Sequence, residues 1–89
     1  MKTVWKFELA VTDEQAVRVP RGAQFLTVQM QGDRPCLWAL VDPNAQPEDR
    51  IVRIHGTGHP VSESHLLQYI STFQLDGGAL VFHAFEARA

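Results

Sequence analysis

The sequence predicts an all-β fold, a small antiparallel β-sandwich or partly open barrel of six to seven strands. Three observations predict it. Apolar and polar residues alternate with a period of two along several short runs. Gly-, Pro- and Asp-bearing corners separate those runs. Asp76-Gly77-Gly78 stands between two β-rich stretches, the strongest local hairpin signal in the chain.

Each element follows in order. "KTVWKFEL" (2–9) places Trp5, Phe7 and Leu9 on one side and Val4, Lys6 and Glu8 on the other. "QAVRVP" (15–20) alternates less cleanly and closes in the turn Pro20-Arg21-Gly22. "AQFLTVQMQ" (23–31) groups Leu26, Val28 and Met30 against Phe25, Thr27, Gln29 and Gln31. "GDRP" (32–35) is a turn. "CLWALV" (36–41) is apolar at every position, so it is expected to be covered on both faces, by its own sheet or by a subunit partner. "DPNAQPEDR" (42–50) reads as an exposed loop and "RIVRI" (50–54) as a strand.

The irregular stretch "HGTGHPVSESH" (55–65) follows, with at most one short helical turn near 62–67 capped by Ser62. "QYISTFQ" (68–74) and "ALVFHAFE" (79–86) complete the strands. In the last, Leu80, Phe82 and Ala84 oppose Val81, His83 and Phe85. The expected core is Trp5, Phe7, Leu26, Val28, Leu37, Trp38, Leu40, Ile54, Ile70, Phe73, Leu80 and Phe82.

The chain has 89 residues, room for a single β domain spanning 1–89, with 45 % hydrophobic and 20 % charged residues. A net charge of −2, with eight scattered basic residues, gives no dense cationic stripe. Duplex nucleic acid is therefore not an expected partner. No apolar run approaches a membrane span, and Lys6 and Glu8 interrupt any signal-peptide core. One cysteine, Cys36, forbids an intrachain disulfide and fits a reducing compartment, so a cytoplasmic location is expected. More apolar side chains fall on both faces of 36–41 and 80–85 than one small sheet needs, which predicts a homo-oligomer.

The residues that carry chemistry cluster in "RIVRIHGTGHP". Gly56 and Gly58 free the backbone to turn N–H groups toward an anion. Thr57 adds a hydroxyl, and His55 and His59 add imidazole donors. Arg53 shares a strand face with His55, and Arg50 lies close by. The stretch lacks G-K-[ST] and launches no helix, so it is neither a P-loop nor a dinucleotide fingerprint. Read structurally, it is a corner that ends a strand. Phe25 and Tyr69, each beside polar neighbours, are the candidate shelves on which a base could stack.

No metal and no cofactor is expected. Two glycines separate His55 from His59, His65, His83 and Asp76 lie elsewhere, and a structural zinc site wants more thiolates than one. No catalytic residues are assigned. Cys36 is embedded in apolar sequence, Ser62, Ser64 and His65 lie in a polar loop, and His83 between phenylalanines reads as a core or interface histidine bonded to backbone.

Taken together, "MKTVWKFEL", "PRGAQFLTVQMQ", "PCLWALVDP", "RIHGTGHP" and "YISTFQLDGGALVFHAFE" resemble a family of short uncharacterised proteins found in tailed phages, prophages and bacteria. The resemblance covers nearly the whole chain. It implies a small phage accessory product, of a kind that often acts in counter-defence by binding a host protein or sequestering a nucleotide signal. The resulting expectation is a non-catalytic protein that binds a small anionic, nucleotide-like ligand near a subunit interface. Arg50, Arg53, His55, Gly56, Thr57, Gly58, His59, Phe25 and Tyr69 would contact the ligand. The alternatives are a protein-binding inhibitor or adaptor that uses a sheet edge or the 36–41 face, and a small phosphodiesterase or hydrolase acting through His55 and His59.

Overall fold

The computed structural model describes residues 1–88 and contains seven strands. They are β1 (Thr3–Glu8), β2 (Glu14–Pro20), β3 (Gln24–Gln31), β4 (Arg34–Val41), β5 (Pro47–Gly56), β6 (Leu66–Leu75) and β7 (Leu80–Ala87). One sheet has the order β1-β4-β3 and the other β2-β5-β7-β6, with every pair antiparallel. The chain changes sheet after β1, β2 and β4, which stacks the two sheets as a sandwich that does not close into a barrel.

The inner faces meet in one apolar cluster. Val28, Leu37, Ala39 and Val41 of the first sheet face Val17, Val19, Val52, Ile54, Phe73 and Ala84 of the second, with Leu9 and Ala23 at the margins. Small β-branched residues and alanines dominate, because thin facing sheets leave little depth for large rings. Of the expected core, Val28, Leu37, Ile54 and Phe73 are buried. Trp5, Leu26 and Leu80 are instead exposed, at 40 %, 44 % and 46 %. Trp5 lies on an edge strand, and Leu80 sits beside the last hairpin loop. Leu26 is the extra residue of a β-bulge between Phe25 and Thr27. The bulge resets the alternation, so Phe25, Val28 and Met30 pack inward together.

Several boundaries differ from the sequence reading. β5 begins at Pro47, so the loop shortens to 42–46. Glu48 and Asp49 join the strand because each side chain approaches an arginine: Glu48 reaches Arg50 at 3.9 Å and Asp49 reaches Arg18 at 3.2 Å. Pro47 is tolerated as the first residue of its strand. The turn after β3 narrows to Gly32-Asp33, with φ +63° at Gly32. A 3₁₀ turn occupies Glu63–His65, but Ser62 makes no capping bond; its hydroxyl meets that of Ser64 at 3.2 Å. A second 3₁₀ turn, Asp76–Gly78, forms the last hairpin loop, with positive φ at all three residues. β4 is covered on both faces: Cys36 is buried, and Trp38 and Leu40 are half-buried between β1 and β3.

Two polar devices tie the sheets together. At the β3–β6 seam the Ser71 hydroxyl donates to the Val28 carbonyl at 2.8 Å and accepts from the Val28 N–H at 2.5 Å. A side chain thereby does what a neighbouring strand would do. At one end of the interior, Arg50 of β5 forms a fork-to-fork pair with Glu86 of β7, at 2.7 and 2.9 Å. It also donates to the Ala23 carbonyl and lies 4.2 Å over the Phe25 ring. The Glu86 hydrogen bonds raise the Arg50 pKa above its ordinary value, against the opposing effect of burial.

Candidate functional site

The outer face of the four-stranded sheet gathers most of the residues marked in the sequence. Register alone places them. Arg53 pairs with Phe85, and Phe85 with Tyr69, in one row across β5, β7 and β6. His55 pairs with His83, and His83 with Thr72, in the next row. Tyr69 lies against Phe85 edge-to-face at 5.6 Å, and His55 packs on the other side of Phe85 at 5.9 Å. Tyr69 remains 53 % exposed, so its ring is open to solvent.

Beside this row a cavity of about 660 Å³ opens where β2 begins and β5 runs on past it. Arg53, His55, His59, Asp13, Glu14 and Phe82 are among the residues that line it. Arg53 donates from Nη2 to Glu14 at 2.7 Å. Its Nε is buried without a hydrogen-bond partner, and so is Nε2 of His55. A buried polar atom left unpaired costs roughly 1–3 kcal/mol, and both of these atoms belong to side chains that line the one cavity.

The HGTGHP corner is a turn first. The Gly56 carbonyl accepts from the His59 N–H at 3.1 Å, with Gly58 at φ +85° in the third position. The Thr57 N–H is bonded to the Val81 carbonyl at 3.2 Å. The backbone donor of Thr57 is therefore engaged by β7 and that of His59 within the turn. What the corner brings to the cavity is the His59 ring, which lies so close over Gly56 that a Cβ there would meet it at 2.9 Å. Thr57 turns its hydroxyl to His83 Nε2 at 2.7 Å. His83 Nδ1 contacts Thr72 at 2.8 Å, and Thr72 contacts the Tyr69 hydroxyl at 2.7 Å.

The predicted set therefore divides. Arg53, His55, Gly56 and His59 come together at the cavity, with Tyr69 on the same sheet face. Thr57 is joined to Tyr69 through His83 and Thr72, and Gly58 shapes the turn. Arg50 does not join them. It is three residues from Arg53, an odd offset, so it faces the interior and pairs with Glu86. Phe25 goes with Arg50 rather than with the outer shelf. His83 is neither in the core nor bonded to backbone; its partners are two hydroxyls on the outer face.

Sequence reasoning missed the acidic wall, Asp13 and Glu14, and the Thr57–His83–Thr72–Tyr69 chain. The "TDEQ" that opens β2 carried the acids, but only the β2–β5 register sets Glu14 opposite Arg53. The hydroxyl chain stands where a charged orienting group would be needed to drive a nucleophile. Among the described residues, no three His, Cys, Asp or Glu side chains form a metal-holding group. Among those residues, no helix is long and apolar enough to cross a membrane.

Residues 1–89 match the family described as Domain of unknown function (DUF7352). The chain belongs to that family. No curated protein and no solved structure matches it.

Proposed function

We propose that this chain is a non-catalytic binding protein that takes a small anionic, nucleotide-like ligand at the β2–β5 corner. One observation carries the reading: Arg53 Nε and His55 Nε2 are both buried, both unpaired, and both belong to side chains lining one cavity. Arg53 Nε is an obligate donor, so an acceptor oxygen is its natural partner. His55 supplies either a donor or an acceptor according to tautomer. The Phe85–Tyr69 row gives a base an aromatic shelf beside an anion held at Arg53. A role as a phage-type accessory protein in counter-defence, acting in the host cytoplasm, extends this reading through the phage-family resemblance.

The test is a melting experiment with inorganic phosphate and a panel of nucleoside mono- and cyclic phosphates. A ligand at one hundred times its Kd stabilises the folded state by about 2.7 kcal/mol, roughly 10 °C or more for a domain this small. Arg53→Ala is expected to abolish the shift and to change the unliganded melting temperature far less, because Glu14 is half-exposed and Arg53 Nε has no partner to lose. A shift that survives Arg53→Ala, or none from any probe, overturns the proposal. Recovery of intact nucleotide after incubation separates binding from hydrolysis.

A further inference from the structure

The two sheets have four terminal strands, and three of them are managed. β3 and β6 are joined through Ser71. β2 ends in Pro20, and its Gln15 side chain bonds both backbone groups of Ala10 in the adjoining segment. β1 is different. Among the described residues it pairs with β4 on one side and with no strand on the other. It is exposed at every position except Phe7, including Val4 at 49 % and Trp5 at 40 %.

The direction of its free backbone groups follows from one bond. Leu9 donates to the Pro35 carbonyl at 2.9 Å, continuing the β1–β4 register. Odd-numbered residues of β1 thus spend their N–H and C=O groups on β4, and Val4, Lys6 and Glu8 aim theirs outward. We propose that β1 is a homodimerisation edge, pairing antiparallel with β1 of a second copy about a two-fold axis through Trp5, in a continuous six-stranded sheet.

Charge and paired length select the partner and the register. Two-fold pairing that keeps each face continuous sets residues of equal parity opposite one another. Centred on Trp5, the pairing sets Lys2 opposite Glu8 twice and Val4 opposite Lys6 twice. The side-chain pairs on the inner face are then Trp5 with Trp5 and Thr3 with Phe7. Shifted one step, to centre on Val4, it sets Lys2 opposite Lys6; shifted the other way, it sets Lys6 opposite Lys6. Like charges directly opposite are destabilising and opposite charges favourable, so the lysines that guard this edge disfavour both neighbouring registers. Centring on Phe7 would also set Lys6 opposite Glu8, but it pairs only residues 6–8 of β1, whereas centring on Trp5 pairs residues 3–7. The dimer also covers Trp5, the large ring that the monomer leaves exposed.

Reciprocal charge reversal tests this by sedimentation over a wide concentration range. The wild type is expected to dimerise. Lys2→Glu alone and Glu8→Lys alone are each expected to weaken self-association about tenfold or more, since both pairs become repulsive. Mixing the two variants is expected to restore dimers as heterodimers, because each then presents the charge the other lacks. That rescue also shows that both variants are folded. A wild type that stays monomeric at every concentration overturns the proposal. So does a dimer indifferent to both reversals, or a mixture that fails to rescue. The outcome does not depend on any ligand at Arg53.

Discussion

At the scale of single residues, two arginines three positions apart have opposite fates. Arg50 points inward and is held by Glu86, Ala23 and Phe25. Arg53 points outward and keeps one donor free. Glu14 is the residue that tempers Arg53: its half-exposed carboxylate occupies Nη2 and lends the cavity negative charge. Glu14→Gln is therefore expected to tighten phosphate or nucleotide binding several-fold, measured by calorimetry. Weaker binding in that variant would mean that Glu14 contacts the ligand directly. Gly58 shows how little freedom the corner has, since its φ of +85° would cost a side-chain-bearing residue about 1–2 kcal/mol.

At the scale of elements, all seven strands were legible as apolar runs, because alternation is a local property of covalent spacing. The Asp76-Gly77-Gly78 hairpin was legible for a similar reason: left-handed backbone is written in glycine. Strand ends and the bulge at Leu26 were not, since they depend on partners distant in sequence. The β3–β6 seam is the clearest such case. Nothing local marks Ser71, yet its one hydroxyl bonds both the N–H and the C=O of fully buried Val28. Ser71→Ala is expected to cost about 2 kcal/mol, read as a lower denaturant midpoint at unchanged slope. A loss below about 0.5 kcal/mol would show that the seam is held by packing and not by this hydroxyl.

At the scale of the whole molecule, the sandwich is thin, with extents of 39 × 32 × 15 Å. Its accessible surface is 5590 Å², somewhat above the roughly 5200 Å² expected for a folded chain of this mass. A thin sandwich of three strands on four leaves edge side chains such as Trp5 outside the shared interior. Folding must also close long loops, because β1 pairs with β4, β2 with β5 and β5 with β7. Refolding is accordingly expected in milliseconds to seconds, followed by tryptophan fluorescence after stopped-flow dilution. Sub-millisecond folding would contradict that topology.

What the sequence determined by itself was the class of backbone, the strand-bearing segments, the corners, and the shared face of Arg53 and His55. These follow from periods of two and from glycine, and both are set within a few bonds. Only the tertiary structure decided which arginine meets a ligand-sized cavity and which closes the core. It also decided that Glu14 stands against Arg53, that His83 joins a hydroxyl chain, and that β1 is left with a bare edge. Those outcomes depend on the register between strands far apart in the chain, where one residue of slip moves every side chain to the opposite face.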